Sequence, residues 1–252
     1  MTIVKCDNVH KYFRAGRALT GRTAGKVKAV EGVSLEIEKG ESFGLVGESG
    51  CGKTTLGKVI LGILKPDIGK VRLDTQRPQV VFQDPQNSLD PRMRVSDIIA
   101  EGIAVGGEGR GRVQQKVDEV LDLVRLPRSS LAKYPHQFSG GERQRIAIAR
   151  AIVTGPDLIV CDEPVSSLDM TVQVEILRLL KDLQKRLSMT YLFISHDLRV
   201  IKFMCDRVAV MRYGKIVETG TAQHVYSHPT HPYTKLLLSS VLDICPSKNQ
   251  FL

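Results

Sequence analysis

The sequence has no tryptophan, only 5% aromatic residues, and five cysteines that form no CxxC pair. Cys6, Cys51, Cys161, Cys205 and Cys245 are scattered and odd in number, which argues against a disulfide framework; they read as reduced thiols. No apolar run approaches the roughly 18 to 20 residues that span a bilayer, and the densest patch, Val59 to Leu64, is a helix-sized fragment. The N-terminus lacks the basic start and apolar stretch of a secretory signal, so a chain kept in the cytoplasm is expected. There is no internal repeat or low-complexity tract. What the sequence has in excess is positive charge: 36 Lys and Arg against 27 Asp and Glu give +9 over 252 residues. That balance suits nucleic acid, an anionic membrane surface or a phosphorylated ligand, and composition does not choose among them.

Along the chain, Ile3 to Val9 and Val33 to Ile37 read as antiparallel strands flanking a basic hairpin from Arg14 to Lys28. Ser42 to Val46 reads as a strand, Thr54 to Leu64 as a helix, and Val80 to Phe82 as another strand. Pro85, Asn87, Pro91 and the glycines up to Gly111 are expected to break regular structure. Helical spacing returns over Arg112 to Val124 and from Ser139 through Ala151. The apolar run Leu158 to Cys161 suits a buried parallel strand. A helix (Val172 to Leu187), a strand (Thr190 to Ile194), a short helix (Leu198 to Met204) and a hairpin (Arg207 to Glu218) complete an alternating β/α series.

Gly47-Glu-Ser-Gly-Cys-Gly52-Lys53-Thr54 fits the phosphate-loop pattern GxxxxGK[ST] without mismatch, after a strand and before a helix. The glycines let successive N–H groups turn inward, the helix adds its positive dipole end, and Lys53 supplies a cation for the β and γ phosphates. Thr54 offers a hydroxyl to Mg²⁺, and Cys51 reads as a small filler of the loop. Asp162 and Glu163 end the apolar strand: the first is expected to hold the metal shell, the second to face an attacking water.

Phe138-Ser139-Gly140-Gly141-Glu142 then resembles the LSGGQ signature of ATP-binding cassette (ABC) ATPases, with Phe138 and Glu142 in place of the commoner Leu and Gln. Gln83 resembles that family's Q-loop glutamine, Ser166-Ser167-Leu168-Asp169 its D-loop, and His196 its switch histidine. The resemblance covers nearly the whole chain. It implies a P-loop NTPase of α/β class: a mixed, RecA-like core sheet, an N-terminal antiparallel β-subdomain and an inserted helical subdomain. Residues 1–83 and 152–225 would form the nucleotide-binding core, 84–151 the helical subdomain and 226–252 a short tail.

The implied ligands are ATP and Mg²⁺. ATP would lie on Gly47, Glu48, Ser49, Gly50, Cys51, Gly52, Lys53, Thr54 and Thr55, with Phe13 or Tyr12 stacked on the base. Thr54, Gln83 and Asp162 would hold the metal; Glu163, His196, Lys53 and Gln83 would carry hydrolysis. Ser139, Gly140, Gly141, Glu142 and Asp169 would complete the site of a second cassette in a head-to-tail homo- or heterodimer. Glu142 adds a negative charge near the γ-phosphate site.

Gln83-Asp-Pro-Gln-Asn-Ser-Leu-Asp-Pro-Arg-Met93, Gly25 to Val30, Tyr134 to Ser139 and His228-Pro-Thr-His-Pro-Tyr-Thr234 resemble the peptide and nickel importer branch. This implies two transmembrane permease subunits, an extracytoplasmic binding protein and a seat on the cytoplasmic face of the membrane. The short stretch between Asp74 and Val80 resembles some metal-chelate importers and tilts the cargo slightly towards metal, but the partners, not this chain, choose it. His224, His228 and His231 are spaced like metal ligands, yet no acid or cysteine completes a set; they read as part of a C-terminal motif. Cys245 alone argues against an iron–sulfur cluster. A soluble ABC ATPase acting on DNA or ribosomes is the alternative suggested by charge, but coiled-coil and zinc-module insertions are lacking. The intact Lys53, Asp162, Glu163 and His196 argue against a non-hydrolysing regulatory subunit. Segments around Arg14 to Lys28 and Arg143, Arg145 and Arg150 are expected to present the positive charge to nucleotide, partner or anionic lipid rather than to a specific nucleic acid.

Overall fold

The computed structural model describes residues 1–14, 26–75, 77–104 and 110–242. They divide into two units, one of residues 1–74 and 192–252, the other of residues 75–191.

In the first unit, β1 (Thr2–Arg14) lies between β2 (Lys26–Glu38) and β4 (Ile68–Leu73) in a three-stranded antiparallel sheet. Its register follows side-chain period: Val33, Leu35 and Ile37 of β2 are buried while Ser34 and Glu36 between them are exposed. Beside it, β3 (Ser42–Val46) is buried throughout and pairs in parallel with β8 (Arg207–Arg212), which pairs antiparallel with β9 (Lys215–Thr221). Val208, Ala209, Val210 and Met211 are buried in succession, as a strand covered on both faces requires. Helix α1 (Lys53–Ile60) buries Leu56, Val59 and Ile60, each worth about 1.5–3 kcal/mol relative to exposure. A Cβ on Gly44 would stand 2.6 Å from Ile201 Cγ2, so α7 (Leu198–Met204) rests directly on β3. Helices α8 (Ala222–Ser227) and α9 (Pro232–Leu242) follow β9.

In the second unit, β5 (Gln79–Val81) pairs in parallel with β6 (Leu158–Asp162). Around them are α2 (Pro85–Ser88), α3 (Val95–Ala104), α4 (Arg110–Leu123), α5 (Gly140–Ile152) and α6 (Met170–Leu187). Helix α5 touches α2, α3, α4, α6 and β5, and accordingly buries Ile146, Ala147, Ile148 and Ala149 consecutively. Helix α6 buries the stripe Ile176, Leu177, Leu179, Leu180 and Leu183, with Lys185 and Arg186 in its last turn opposite the negative dipole end. The chain leaves this unit along β7 (Thr190–Ser195), where the Tyr191 hydroxyl donates to the Leu180 carbonyl at 3.0 Å.

The α/β architecture with an antiparallel N-terminal sheet and a second, mixed sheet is as expected. Several local readings change. The stretch after Pro85 is not irregular: α3 forms there, because Val95, Ile98, Ile99 and Ile103 recur at helical spacing and are buried. Residues 68–73 are a strand, and β2 begins at Lys26, so Lys26 to Lys28 belong to a ladder rather than a loop. Residues 15–25 of the expected hairpin, and Cys245, lie outside the described residues. Helix α1 stops at Ile60, four residues early, where Gly62 takes φ 73°. No helix among the described residues is long and apolar enough to cross a membrane.

Candidate functional site

The turn from β3 to α1 is shaped by its glycines. Gly47 (φ 155°) and Gly52 (φ 110°) occupy backbone conformations closed to other residues. A Cβ at Gly47 would stand 2.2 Å from the Met211 carbonyl oxygen, and one at Gly52 1.9 Å from that of Ala29. The loop is therefore pressed against β8 and β2 with no room for a side chain at either point. Glu48, Ser49 and Gly50 form its exposed rim, Thr54 is exposed and Thr55 half-buried at the start of α1. The Gly214 N–H, in the β8–β9 turn, donates to the Cys51 carbonyl at 2.9 Å and fixes the crest. Burial pushes the Cys51 thiol up despite the Lys53 ammonium beside it, consistent with a filler and not a nucleophile.

Lys53 is 5% exposed, and its Nζ folds back to donate to the Gly47 carbonyl at 2.8 Å and the Glu48 carbonyl at 2.9 Å. A buried ammonium is tolerable only when so paired. Two neutral carbonyls are weaker partners than phosphate oxygens, and the first-turn amides of α1 have no intrahelical acceptors, so the loop fits a polyphosphate. In the same unit, His196 is exposed on a turn whose backbone is pinned on both sides. The Asp197 N–H donates to Ser195 Oγ at 2.9 Å, and the Asp197 carboxylate accepts the Arg199 N–H at 2.8 Å and grips its guanidinium at 2.8 and 3.1 Å. Burial works against the Asp197 carboxylate, but Arg199 outweighs it and holds it below its ordinary range.

The two aromatic candidates differ. Tyr12 is committed locally: its hydroxyl meets His10 Nδ1 at 2.8 Å and its N–H donates to Asp67 at 2.6 Å. Phe13 is 40% exposed, its ring engaged only by Lys11 Nζ at 5.9 Å among the described contacts.

The second unit assembles the remaining candidates. Asp162 and Glu163 close β6, both half-buried, and Glu163 has φ 49°, a left-handed backbone that a residue with a β-carbon rarely adopts. Its carbonyl accepts the Ser166 N–H and hydroxyl, which curls the following turn. The Ser167 hydroxyl donates to the Gln83 carbonyl at 3.4 Å, so the Q-loop and D-loop residues meet; the Gln83 side chain is exposed. Asp169 caps α6, accepting the Val172 N–H at 3.0 Å. Ser139 caps α5 through a reciprocal box: Glu142 N–H donates to Ser139 Oγ at 3.3 Å, and the Glu142 carboxylate accepts the Ser139 N–H and hydroxyl, both at 2.8 Å. Those two donors, the N–H foremost, lower the Glu142 carboxyl. A Cβ on Gly141 would stand 2.5 Å from Val172 Cγ1, so the signature glycines let α5 start against α6.

The arginines of α5 do not form the outward-facing charge expected from the sequence. Arg143 Nε donates to the Pro135 carbonyl at 2.9 Å, Arg145 to the Val124 carbonyl at 3.1 Å and Glu175 at 3.2 Å, and Arg150 to the Ser88 carbonyl at 2.5 Å. The segments packed on α5 turn the Val124, Pro135 and Ser88 carbonyls towards it, and forked guanidiniums bond to them. Sequence reasoning also missed Tyr233, whose hydroxyl accepts the Glu48 N–H at 3.1 Å. Its only signal was the run His231-Pro-Tyr-Thr234, read as a family mark without a role.

A strand, a glycine loop closed to side chains, a buried lysine folded onto loop carbonyls and a separately capped signature helix define a P-loop nucleotide-binding cassette. Residues 30–166 match the ABC transporter family, and residues 217–251 match the oligopeptide/dipeptide transporter C-terminal region. The chain belongs to the ABC transporter family, as one of its ATP-binding and ATP-hydrolysing cassettes. It is similar to the oligopeptide transport ATP-binding protein OppF of Streptococcus mutans, 45% identical over 256 residues, covering 95% of this chain and 81% of that one. The dipeptide transport ATP-binding protein DppF of Lactococcus lactis is 44% identical over 258 residues, covering 95% and 81%. Among solved structures, cbiO1 of Clostridium perfringens, part of an ABC transporter complex, superposes with TM-score 0.77 at 26% identity, covering 97% of this chain and 96% of that one. A dimeric cassette in a post-hydrolysis state bound to ADP and Pi superposes with TM-score 0.74 at 26% identity, covering 87% and 98%.

Proposed function

We propose that the chain is the ATP-hydrolysing subunit of a peptide importer. It works as half of a head-to-tail pair of cassettes, under two permease subunits at the cytoplasmic face of the membrane, with an extracytoplasmic binding protein delivering cargo. The observation that supports the pairing is that one chain carries two glycine-led helix starts, the P-loop and the Ser139-capped start of α5, each suited to an anion. One nucleotide needs a single phosphate loop, so the second site is for the nucleotide of a partner cassette. The similarity to a dimeric cassette supports this, and the names of the relatives, with the matched C-terminal region, favour peptide over the metal-chelate cargo that the short stretch after Asp74 suggested.

In this reading Lys53 exchanges its loop carbonyls for the β and γ phosphates. Gly47, Glu48, Ser49, Gly50, Cys51, Gly52, Thr54 and Thr55 surround them. Phe13, the exposed ring, stacks on the base in preference to Tyr12. Thr54, Gln83 and Asp162 are oxygen donors of the hard kind that Mg²⁺ takes, and would hold it. Bound there, the metal would neutralise charge on the phosphates. Glu163 orients the attacking water, His196 donates to the γ-phosphate, and Ser139, Gly140, Gly141, Glu142 and Asp169 close over the partner's nucleotide. Proteoliposomes containing both permeases and the cassettes should take up peptide only with ATP, and neither Lys53→Ala nor Glu163→Gln should support uptake. Robust uptake with Glu163→Gln sinks the catalytic assignment; uptake of a nickel chelate in place of peptide sinks the cargo. Salt-resistant binding to duplex DNA would contradict a membrane role for the +9 charge.

A further inference from the structure

The P-loop is gripped from outside by a residue 185 positions away in sequence. Tyr233, the second residue of α9, is 2% exposed, and its hydroxyl accepts the Glu48 N–H at 3.1 Å. That N–H shares a peptide group with the Gly47 carbonyl, which accepts Lys53 Nζ at 2.8 Å. In a trans peptide the two groups point in opposite directions. Tyr233 and Lys53 therefore hold one peptide plane by its two edges, and polarisation through the plane strengthens both bonds.

Tyr233 is itself held on several sides. The Arg212 guanidinium lies 4.6 Å from its ring centroid, and its N–H donates to His231 Nδ1 at 3.1 Å. The turn before it is tied to β9 by Glu218, whose carboxylate accepts the Thr230 N–H at 2.8 Å, the Thr230 hydroxyl at 2.9 Å and the His231 N–H at 3.1 Å. Burial would raise the Glu218 carboxyl, but these donors outweigh it and hold it at about 2.

We infer that Tyr233 is a positioning residue for ATP: it fixes the Gly47–Glu48 peptide, and with it the turn of the loop that receives phosphate. The inference rests on the P-loop being the nucleotide site. Coupling of this kind is reciprocal, so nucleotide in the loop must also tighten α9.

The test uses the full chain and Tyr233→Phe, which keeps the ring under Arg212 and removes only the hydroxyl. Calorimetric titration with ATP and Mg²⁺ should show binding weakened about three- to tenfold, the range for loss of one hydrogen bond. The KM for ATP should rise by the same factor with kcat within about twofold, as for loss of binding shared by ground and transition states. Hydrogen exchange in α9 should slow on adding ATP to the wild type and not in Tyr233→Phe. Leu236→Ala, on the exposed side of the same helix (64% exposed), should change neither readout. Equal affinity in wild type and Tyr233→Phe overturns the inference alone. So does an equal loss in Leu236→Ala, or a nucleotide-free melting point of Tyr233→Phe lowered by more than about 4 °C, since the hydroxyl would then serve the fold. A wild-type chain that binds no ATP sinks the nucleotide reading and this inference with it.

Discussion

Glu163 carries the proposed hydrolytic role in a backbone conformation that stores strain, and the two are separable by substitution. At φ 49° a residue with a β-carbon is disfavoured by about 1–2 kcal/mol relative to glycine. Glycine's larger unfolded-state entropy offsets about 0.5–1 kcal/mol of that. Glu163→Gly should therefore be more stable than Glu163→Gln by up to about 1.5 kcal/mol, or up to about 6 °C in melting point for a chain of this length. Glutamine is the proper reference because it removes the charge and keeps the strain. Both variants should lose ATP hydrolysis by a factor of about 10²–10⁴, the usual worth of a positioned acid or base. Urea unfolding followed by circular dichroism gives the stabilities, and phosphate release gives the rates. A glycine variant no more stable than the glutamine one refutes the strain argument, whatever happens to the rate. A glutamine variant that hydrolyses ATP normally refutes the role of the carboxylate and leaves the strain argument standing.

Three further outcomes follow from named contacts. Glu218 is held at about 2, below its unfolded value near 4.5, so its contribution to stability is complete above about pH 4.5 and disappears as pH falls through 2. The stability difference between wild type and Glu218→Gln should shrink from pH 6 to pH 2; a constant difference contradicts it. Arg150, whose guanidinium is largely buried on the Ser88 carbonyl, should lower unfolding free energy by about 1–3 kcal/mol when changed to Met, whereas Arg128→Met, at an exposed ion pair, should stay within about 0.5 kcal/mol. Cys51, with its thiol pushed up, should react slowly with iodoacetamide at neutral pH, and Cys51→Ser should hydrolyse ATP within about threefold of wild type; rapid alkylation would show a thiolate the structure does not provide.

Much of the site was legible because its parts are local. GxxxxGKT fixes a strand, a glycine turn and a helix start within a dozen residues, and Ser139 marks the start of the second helix. What was not legible depends on distant partners. Helix α3 was hidden behind Pro85, Pro91 and a glycine-rich stretch, although Val95, Ile98, Ile99 and Ile103 carry its period; breakers on either side outweighed four apolar positions. Residues 68–73 became a strand because β1 had an unpaired edge, a fact about Val4, Cys6 and His10 rather than about Ile68. Glu142 read as an added charge near a phosphate site, when its nearest use is to satisfy the Ser139 N–H. The charge of α5 misled for a similar reason: an arginine run reads alike whether it faces solvent or reaches inward to carbonyls 8, 21 and 62 positions away.

The P-loop shows why a motif match and a working loop are different things. Its eight residues specify the turn, yet the turn is closed by contacts from elsewhere: the Met211 and Ala29 carbonyls exclude side chains at Gly47 and Gly52, Gly214 holds the Cys51 carbonyl, and Tyr233 holds the Glu48 amide. Each comes from a different strand, turn or helix of one unit, so the loop's geometry is a property of that unit's packing. Substitutions at Gly214 or Tyr233 should thus resemble P-loop mutations in nucleotide affinity while leaving the motif intact. Gly214, at φ 80° with the Lys28 and Ala29 carbonyls 3.1 and 3.2 Å from where a Cβ would stand, is the more severe case. Gly214→Ala must either strain the turn or withdraw the N–H from Cys51, and in both events ATP binding should fall further than in Tyr233→Phe, where the turn is untouched. Calorimetric titration of the two variants side by side decides it: weaker binding in Tyr233→Phe than in Gly214→Ala would mean that the crest of the loop needs no support from the β8–β9 turn.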